Sequence, residues 1–216
     1  MGQKIELPDV TDVFVEYRKM QLLYQSALKE IGTKLEILND EFKFVHCYNP
    51  IEHIESRLKS EESIVRKLMN KGKDVTIENI EKYIDDIAGI RVICSFTPDI
   101  YRIVDMLSAQ DDIEVIKTKD YMNHPKPSGY RSYHMIITVP IFLSDRRIPT
   151  RVEIQIRTVA MDFWASLEHK IYYKYEGNAP EYIRTELREC AEMISYLDSK
   201  MLAINEEIRS LDVKEE

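Results

Sequence analysis

The sequence predicts an α+β fold in which helices cover a mixed β-sheet of about five strands, with one long helix at each end of the chain. Strand-like runs rich in β-branched residues, such as RVICSF and YHMIITV, are interleaved with segments of helical periodicity. Such interleaving favours a mixed, helix-covered sheet. Both ends of the chain have long apolar stripes, which predict terminal helices at 10–46 and 180–211.

The N-terminal segment has apolar residues at steps of three and four, which predicts a helix. This stripe consists of Val10, Val13, Tyr17, Met20, Tyr24, Ala27 and Ile31. A shorter stripe continues this helix beyond Gly32, which is a candidate break within it. Asn49, Pro50 and Glu52 have the pattern of a helix start, and predict a second helix that ends near Gly72.

The middle of the chain alternates between helices and strands. In order, the predicted elements are a helix at 77–84, a strand at 91–96, a helix from Pro98, a strand at 113–117, a turn at 126–129, and strands at 133–139 and 152–157 separated by a polar hairpin at 144–147.

Two helices are predicted to close the chain. The first starts near Thr158 and has an apolar residue at every fourth position from Val159 to Ile171. The second has a heptad seam, which consists of Ile183, Leu187, Cys190, Ile194, Leu197, Met201, Ile204, Ile208 and Leu211. The N-terminal helix and a neighbouring subunit are equally good candidates for the helix that covers this seam. Cys94, in an apolar strand, and Cys190, on the seam, are both expected to be buried.

Composition limits the class of protein. With 216 residues, 44% hydrophobic and 31% charged, the chain is expected to form one domain over 1–216 with a core at about 49–175. No apolar run approaches the roughly 20 residues that span a bilayer, so we expect a cytoplasmic protein without membrane contact. The net charge of −8 argues against broad affinity for nucleic acid. RNA binding is left open but not indicated.

The strand VEIQIR places its polar side chains on one face. Glu153, Gln155 and Arg157 alternate with aliphatic residues that point to the other side. For an isolated strand, a solvated outer face is the simpler interpretation. A helix-covered sheet would instead bury these groups, and a buried carboxylate needs a cation or a metal partner.

Asp86 offers a second carboxylate just before the first predicted strand. Mg²⁺ typically binds one or two protein carboxylates and completes its shell with water and phosphate oxygens, so Asp86 and Glu153 are candidate ligands. The simpler alternative is that Asp85 and Asp86 are exposed acids at a helix end.

The run KPSGYRSYH at 126–134 combines a glycine turn with aromatic residues. Tyr130 is suited to stacking on a base, and Gly129 permits backbone conformations closed to other residues. His134 is expected to share a strand face with Glu153. A structural tyrosine and a structural histidine are the simpler alternatives.

Phosphate binding would depend on side chains, because no GxxxxGK or GxGxxG loop occurs. Lys59, Ser63 and Lys67 follow i, i+4 spacing and would align along one helix edge, although a solvated helix face is the simpler interpretation. The absence of GxSxG and HExxH argues against serine hydrolases and zinc peptidases.

From about 49 to 175 the chain resembles the (p)ppGpp synthetase domain of the RelA/SpoT family, and its length and terminal helices resemble the small alarmone synthetases. The matching motifs are SRLKS, DDIAGIRVIC, KDYMNHPKPSGYRSYH, VEIQIRT and MDFWASLEHKIYYK. The resemblance implies transfer of the β,γ-pyrophosphate of ATP to the ribose 3′-hydroxyl of GDP or GTP with release of AMP. This reaction makes the alarmone of the stringent response.

The resemblance also implies roles for individual residues. The ATP-binding residues would be Arg57 and Arg91, around adenine, and Lys59, Ser63 and Lys67, on the phosphates. Asp86 and Glu153 would bind Mg²⁺, and Glu153 would accept the proton of the 3′-hydroxyl, with His134 as the second catalytic residue. The guanine-nucleotide site would consist of Tyr130, stacked on guanine, with Lys126, His134, Gln155 and Arg157 orienting phosphates or ribose.

Departures from the family pattern refine these expectations. Bifunctional relatives carry a hydrolase domain with a His-Asp pair, and this chain has neither that length nor an HD dipeptide, so we expect synthesis only. His53, Glu55 and Asp162 differ from the residues of the branch that the alarmone activates, which brings the chain nearer to the RelP-like branch. The seam favours a homo-oligomer, expected to be a tetramer.

The sequence leaves the acceptor open among GDP, GTP and GMP. Two other functions remain as alternatives. One is a general Mg²⁺-dependent nucleotidyltransferase that releases pyrophosphate. The other is a non-enzymatic guanine-nucleotide or RNA-binding regulator on the same fold.

Overall fold

The structure, a computed structural model, describes residues 10–46, 48–174 and 179–212. The helices within these ranges are α1 (Val10–His46), α2 (Glu61–Asn70), α3 (Ile77–Tyr83), α4 (Thr97–Ser108), α5 (Val159–Lys174) and α6 (Glu181–Asp212). The strands are β1 (Ile51–Leu58), β2 (Ala88–Cys94), β3 (Glu114–Asp120), β4 (Tyr133–Phe142) and β5 (Arg147–Thr158). Each of these helices is too short or too polar to span a bilayer.

The strands form one mixed sheet in the order β1-β2-β5-β4-β3. β2 and β5 run parallel, and the other neighbouring pairs are antiparallel. The predicted α+β class, the sheet of about five strands and the long terminal helices are therefore confirmed. The parallel pair positions the site, because it places Gly89, near the start of β2, opposite Glu153 in β5.

One face of the sheet packs into the apolar core. Its buried aliphatic side chains include Ile90, Val92, Met135, Ile137 and Ile154. α1 contacts β1, β2, β4 and β5, and its predicted stripe is buried from Met20 to Ile31, whereas the side chains of Val10 and Val13 lie outside those described. Each fully buried aliphatic side chain contributes about 1.5–3 kcal/mol, so this layer fixes the strand register.

The helix predicted for 49–72 is wrong in its first half. Residues 51–58 form β1, and α2 begins only at Glu61. A register irregularity at the start of β1 explains the misleading pattern, because a bulge adds one residue and leaves Ile51 and Ile54 three positions apart, as on a helix. The residue that caps α2 is Ser60, whose hydroxyl accepts the backbone N–H of Ser63.

The predicted helix at 10–46 is confirmed, and its candidate break at Gly32 does not occur. α1 continues through it for 37 residues. Ile31 and Leu35 on either side are fully buried, and this packing outweighs the cost of about 1 kcal/mol for a glycine in a helix.

The heptad seam of α6 is only partly covered. Leu187 and Ile194, in its first half, pack against a small cluster that contains Trp164 of α5. The second half is between 44% and 57% exposed at Leu197, Met201, Ile204, Ile208 and Leu211. The N-terminal helix therefore does not cover this part of the seam.

The two cysteines that were predicted to be buried differ in their exposure to solvent. Cys94 is buried, as expected, but Cys190 is exposed and its predicted burial is wrong. The reason is that α6 turns Ala191 and Asp198 inward instead of the seam position at Cys190.

Candidate active site

The other face of the sheet carries the candidate site. Strand register aligns its side chains in rows, with neighbours about 5 Å apart. One row consists of Glu55, Arg91, Gln155, His134 and Lys119. The next row consists of Arg57, Gly89, Glu153, Ile136 and Lys117. Residues that are far apart in the sequence thus become neighbours on one surface.

A cleft opens over β1, β2 and β5. Its lining includes Arg57, Arg91, Asp86, Glu153 and Gln155. The two candidate metal-binding carboxylates therefore face a common cavity from neighbouring elements, with both candidate adenine-binding arginines at the same cavity.

Asp86 lies in the short connection between α3 and β2. Lys59 Nζ donates to its Oδ2 at 2.9 Å, and Lys67 Nζ donates to its Oδ1 at 2.8 Å. Burial raises the pKa of Asp86, but the hydrogen bonds from Lys67 and Lys59 outweigh it and hold this pKa below its usual range. The side chain is only 17% exposed, so Asp86 is not an exposed acid at a helix end.

Asp85, in contrast, is half-exposed and is not among the residues that line the cleft. Its Oδ1 accepts a hydrogen bond from Arg151 Nη1 at 2.7 Å. The two adjacent acids therefore have different surroundings, which composition alone does not reveal.

The prediction that Lys59, Ser63 and Lys67 lie along one helix edge is wrong, because Lys59 is not part of a helix. Lys59 belongs to the turn between β1 and α2, and it meets Lys67 at the carboxylate of Asp86. Ser63 lies in the first turn of α2, where its hydroxyl accepts a hydrogen bond from Ser60 Oγ at 2.9 Å.

Glu153 lies in the middle of β5 with its side chain 18% exposed. Its Oε1 is 3.5 Å from His134 Nδ1, and its Oε2 accepts from Gln155 Nε2 at 3.0 Å. Burial raises the pKa of Glu153, but the contacts with His134 and Gln155 outweigh it and lower this pKa overall. The charge of Asp86 acts in the opposite direction, because the two carboxylates are close enough to repel.

Tyr130 and Arg157 close a ring of hydrogen bonds with these residues. Arg157 Nη2 donates to the Tyr130 hydroxyl and to Gln155 Oε1, both at 2.7 Å, and the Tyr130 hydroxyl lies 2.8 Å from His134 Nε2. The ionised Glu153 carboxylate can only accept, which favours the imidazole tautomer with its proton on Nδ1. In this tautomer, Nε2 accepts from the Tyr130 hydroxyl. Burial lowers the pKa of His134, which favours this neutral form.

The turn before β4 holds the aromatic platform. Lys126 Nζ lies 4.6 Å from the Tyr130 ring centroid, and Arg157 Cζ lies 5.1 Å from it. Gly129 has φ of +90°, and a Cβ there would lie 2.5 Å from Cβ of Ala191 in α6. Only glycine fits this turn as it packs against α6.

Sequence reasoning assigned no site role to two acids. Glu55 Oε2 accepts from Arg91 Nη1 at 3.2 Å, and Asp162 Oδ1 lies 3.1 Å from Arg157 Nη1 and 3.5 Å from Arg91 Nη1. A signal for Asp162 was available, because α5 follows β5 directly and its first turn returns over the same face. No signal pointed to Glu55 while 49–72 was predicted to be a helix. As part of strand β1, it lies two residues before Arg57 and therefore on the same face.

The carboxylate pair fits Mg²⁺. Hard oxygen donors from two residues, with space for water and phosphate oxygens, match the preference of this ion. The described residues contain no group of three or more His, Cys, Asp or Glu arranged to hold a metal. The pair is thus suited to an ion that shares its shell with substrate, and not to a closed structural site.

Helices cover one face of this mixed sheet, and the other face combines paired carboxylates with arginines and lysines. This arrangement defines the class of enzymes that transfer phosphate-containing groups between nucleotides. Within that class, the chain belongs to the RelA/SpoT family, because residues 56–178 match the model of a region found in RelA / SpoT proteins.

Individual relatives agree with this assignment. The chain is 48% identical to GTP pyrophosphokinase YwaC of Bacillus subtilis (strain 168), over 94% of this chain and 96% of that protein. Small alarmone synthetase 1 from Bacillus subtilis bound to its product pppGpp is 36% identical, with a TM-score of 0.82 over 89% of this chain and 98% of that one. The same enzyme bound to AMPCPP is 34% identical, with a TM-score of 0.77 over 90% of this chain and 98% of that one.

Proposed function

We propose that this protein is a (p)ppGpp synthetase, which transfers the β,γ-pyrophosphate of ATP to the 3′-hydroxyl of GDP or GTP and releases AMP. The observation that carries the proposal is the cleft shared by Asp86 and Glu153 with Arg57 and Arg91. Hydrogen bonds from Arg157 connect Gln155, at this cleft, to Tyr130. Relatives named for pyrophosphokinase activity, and solved with pppGpp or AMPCPP, support it.

The donor nucleotide would lie along β1, α2 and β2. The planar guanidinium groups of Arg57 and Arg91 are suited to the two faces of adenine. Lys59 and Lys67 already bind an anionic group, the Asp86 carboxylate. The ATP phosphates are stronger anions that would compete for both ammonium groups, with Ser63 at the helix N-terminus as a further contact.

Mg²⁺ would be held by Asp86 and Glu153. When bound, the ion neutralises charge on the phosphates and polarises the group that is transferred. If Lys59 and Lys67 move from the Asp86 carboxylate to the ATP phosphates, the oxygens of Asp86 become free to bind the ion.

The acceptor nucleotide would lie over β4 and β5. Stacking of guanine on Tyr130 would contribute about 1–3 kcal/mol. The Lys126 ammonium now near this ring would move to the acceptor phosphates, while Gln155 and Arg157 orient ribose or phosphates. The direct contacts of these side chains with one another limit the rotamers available to them.

Glu153 is the proposed base. Its carboxylate takes the proton of the 3′-hydroxyl as the 3′-oxygen bonds to the β-phosphorus of ATP. The bond from this phosphorus to the oxygen that bridges the α-phosphate breaks, and AMP leaves with that oxygen. His134, through its Nδ1–H, fixes the orientation of the carboxylate. Alignment and charge stabilisation supply most of the rate enhancement in such a reaction.

The proposal includes assembly of the chain into a homotetramer. The α5 stripe Val159, Phe163, Leu167 and Ile171 is between 38% and 59% exposed, in addition to the second half of the α6 seam. Two apolar helix faces on one chain offer two interfaces, and two interfaces can close a tetramer. Light scattering during gel filtration would measure the mass, and a monomer at micromolar concentration would contradict the proposal.

Incubation of the purified protein with Mg²⁺, ATP and each of GDP, GTP and GMP tests the activity. Anion-exchange chromatography should show AMP and a guanosine nucleotide with two additional phosphates, and the relative rates identify the preferred acceptor. Release of pyrophosphate would instead indicate a nucleotidyltransferase. Nucleotide binding without AMP would indicate a non-enzymatic regulator. The product would link the protein to cytoplasmic nucleotide pools and the stringent response.

A further inference from the structure

We infer that Asp162 is a positioning residue that holds one arginine of the donor side and one of the acceptor side with a single carboxylate oxygen. The inference rests on the proposed function for the identity of the two nucleotides. It adds a residue that links the two binding sites without contacting the reacting atoms.

The geometry places Asp162 between neighbouring strands. Its Oδ1 lies 3.1 Å from Arg157 Nη1 and 3.5 Å from Arg91 Nη1. Arg91 and Arg157 come from the parallel strands β2 and β5, where Arg91 pairs with Gln155 and Ile93 with Arg157. The two arginines are therefore one row apart on the same face, and the carboxylate spans that row.

Burial makes this contact strong on the acceptor side. Arg157 is 5% exposed, and its other described partners, Tyr130 and Gln155, are neutral. A buried guanidinium without an anion is costly, so Asp162 compensates its charge. Arg91 has a second acidic partner in Glu55, but that side chain is 58% exposed and its interaction is screened by solvent.

The first turn of α5 is held in place from two sides. It follows β5 without a loop, and Thr158 Oγ1 accepts the backbone N–H of Met161 at 3.2 Å as a cap. The Thr158 hydroxyl donates to Asp198 Oδ2 of α6 at 2.8 Å. Asp162 thus projects from a turn anchored to both the sheet and the C-terminal helix.

Loss of the Asp162 charge should release both arginines together. Affinity for both nucleotides would then fall, because Arg91 and Arg157 would adopt several orientations. The turnover number would change little, because Glu153 and its contacts with His134 and Gln155 remain.

Asp162→Ala and the isosteric Asp162→Asn test this, with Asp105→Asn, an exposed position on α4, as matched control. KM for ATP and KM for GTP are measured separately, and Kd for fluorescent ATP and GDP analogues is measured without turnover. We expect both KM and both Kd values to rise about 10-fold in Asp162→Ala, and less in Asp162→Asn, which keeps an oxygen acceptor. The control should match the wild type.

A lower turnover number with unchanged KM and Kd would show a purely structural role and overturn the inference. A rise in KM and Kd for one nucleotide only would also overturn it. Tighter binding would overturn it as well, because it would mean that Asp162 competes with substrate. Thermal unfolding separates loss of fold from loss of affinity. Absence of AMP formation by the wild type would reject the proposed function, whereas the Kd values would still decide the role of Asp162.

Discussion

The proposed donor and acceptor sides of the site are built differently. On the acceptor side, Arg157 and His134 are 5% and 11% exposed, and they belong to a closed ring of hydrogen bonds. On the donor side, long cationic side chains reach Asp86 separately, and Lys67 is 38% exposed. The contacts of the proposed acceptor side are therefore formed without a ligand, whereas on the proposed donor side a ligand would have to replace internal ion pairs.

Glu153 belongs to both sides, so its removal should have the largest effect. Glu153→Gln should lower turnover by at least about 10³-fold, because the base is lost, while ATP binding stays largely intact. A radiolabelled-ATP assay measures turnover, and a fluorescent ATP analogue measures binding. Glu114→Gln, at an exposed position of β3, is the control. Retained synthesis would remove Glu153 from its proposed role.

Tyr130→Ala should affect the acceptor side alone. KM for the guanosine nucleotide should rise about 10- to 100-fold, in line with about 1–3 kcal/mol of stacking, while KM for ATP stays within about twofold. Tyr130→Phe keeps the ring but loses the hydroxyl between Arg157 and His134, so a smaller increase is expected. Equal losses for both nucleotides would show that the two sides are not separable.

Gly129→Ala should loosen the acceptor turn from α6. Because φ at this position is positive and the new Cβ would lie 2.5 Å from Cβ of Ala191, the substitution should lower the free energy of unfolding by more than about 2 kcal/mol. Gly32→Ala is the matched comparison, because a Cβ there meets nothing within 4 Å. That change, inside a helix, should stabilise the protein by about 0.5–1 kcal/mol. Urea unfolding measures both, and equal effects would contradict this account of the turn.

Lys67→Met should affect the donor side alone. Loss of a charge-assisted contact should raise KM for ATP about 10-fold and leave KM for the guanosine nucleotide unchanged. Lys71→Met, at the exposed end of the same helix, provides the control. An unchanged KM for ATP would exclude Lys67 from phosphate binding.

The smallest expected effect concerns pH. Burial lowers the pKa of His134, so folding favours the neutral imidazole. This contribution to stability is complete above the ordinary histidine pKa of about 6.5 and is lost as pH falls through the lower folded pKa. Between about pH 7.5 and pH 5, the free energy of unfolding of the wild type should therefore fall more than that of His134→Gln. Parallel pH curves for the two proteins would contradict this.

Strict periodicity made part of the site predictable. The alternation in VEIQIR placed Glu153, Gln155 and Arg157 on one face, and the structure brings them together there. β1 was missed because its bulge imitates helical spacing, and with it the place of Glu55. The contacts of Asp86 with Lys59 and Lys67 also depend on where α2 lies relative to the sheet. Local sequence patterns do not contain this information.

Strand order determines when the chain can acquire activity during synthesis. β5 is the last of the described strands in the sequence, yet it inserts between β2 and β4, which precede it. A nascent chain that ends after β4 already contains Asp86, Tyr130 and the lysines, but it has no Glu153 to meet them. If Glu153 is the base, as proposed, a ribosome-bound chain up to that length would lack it and would not form product.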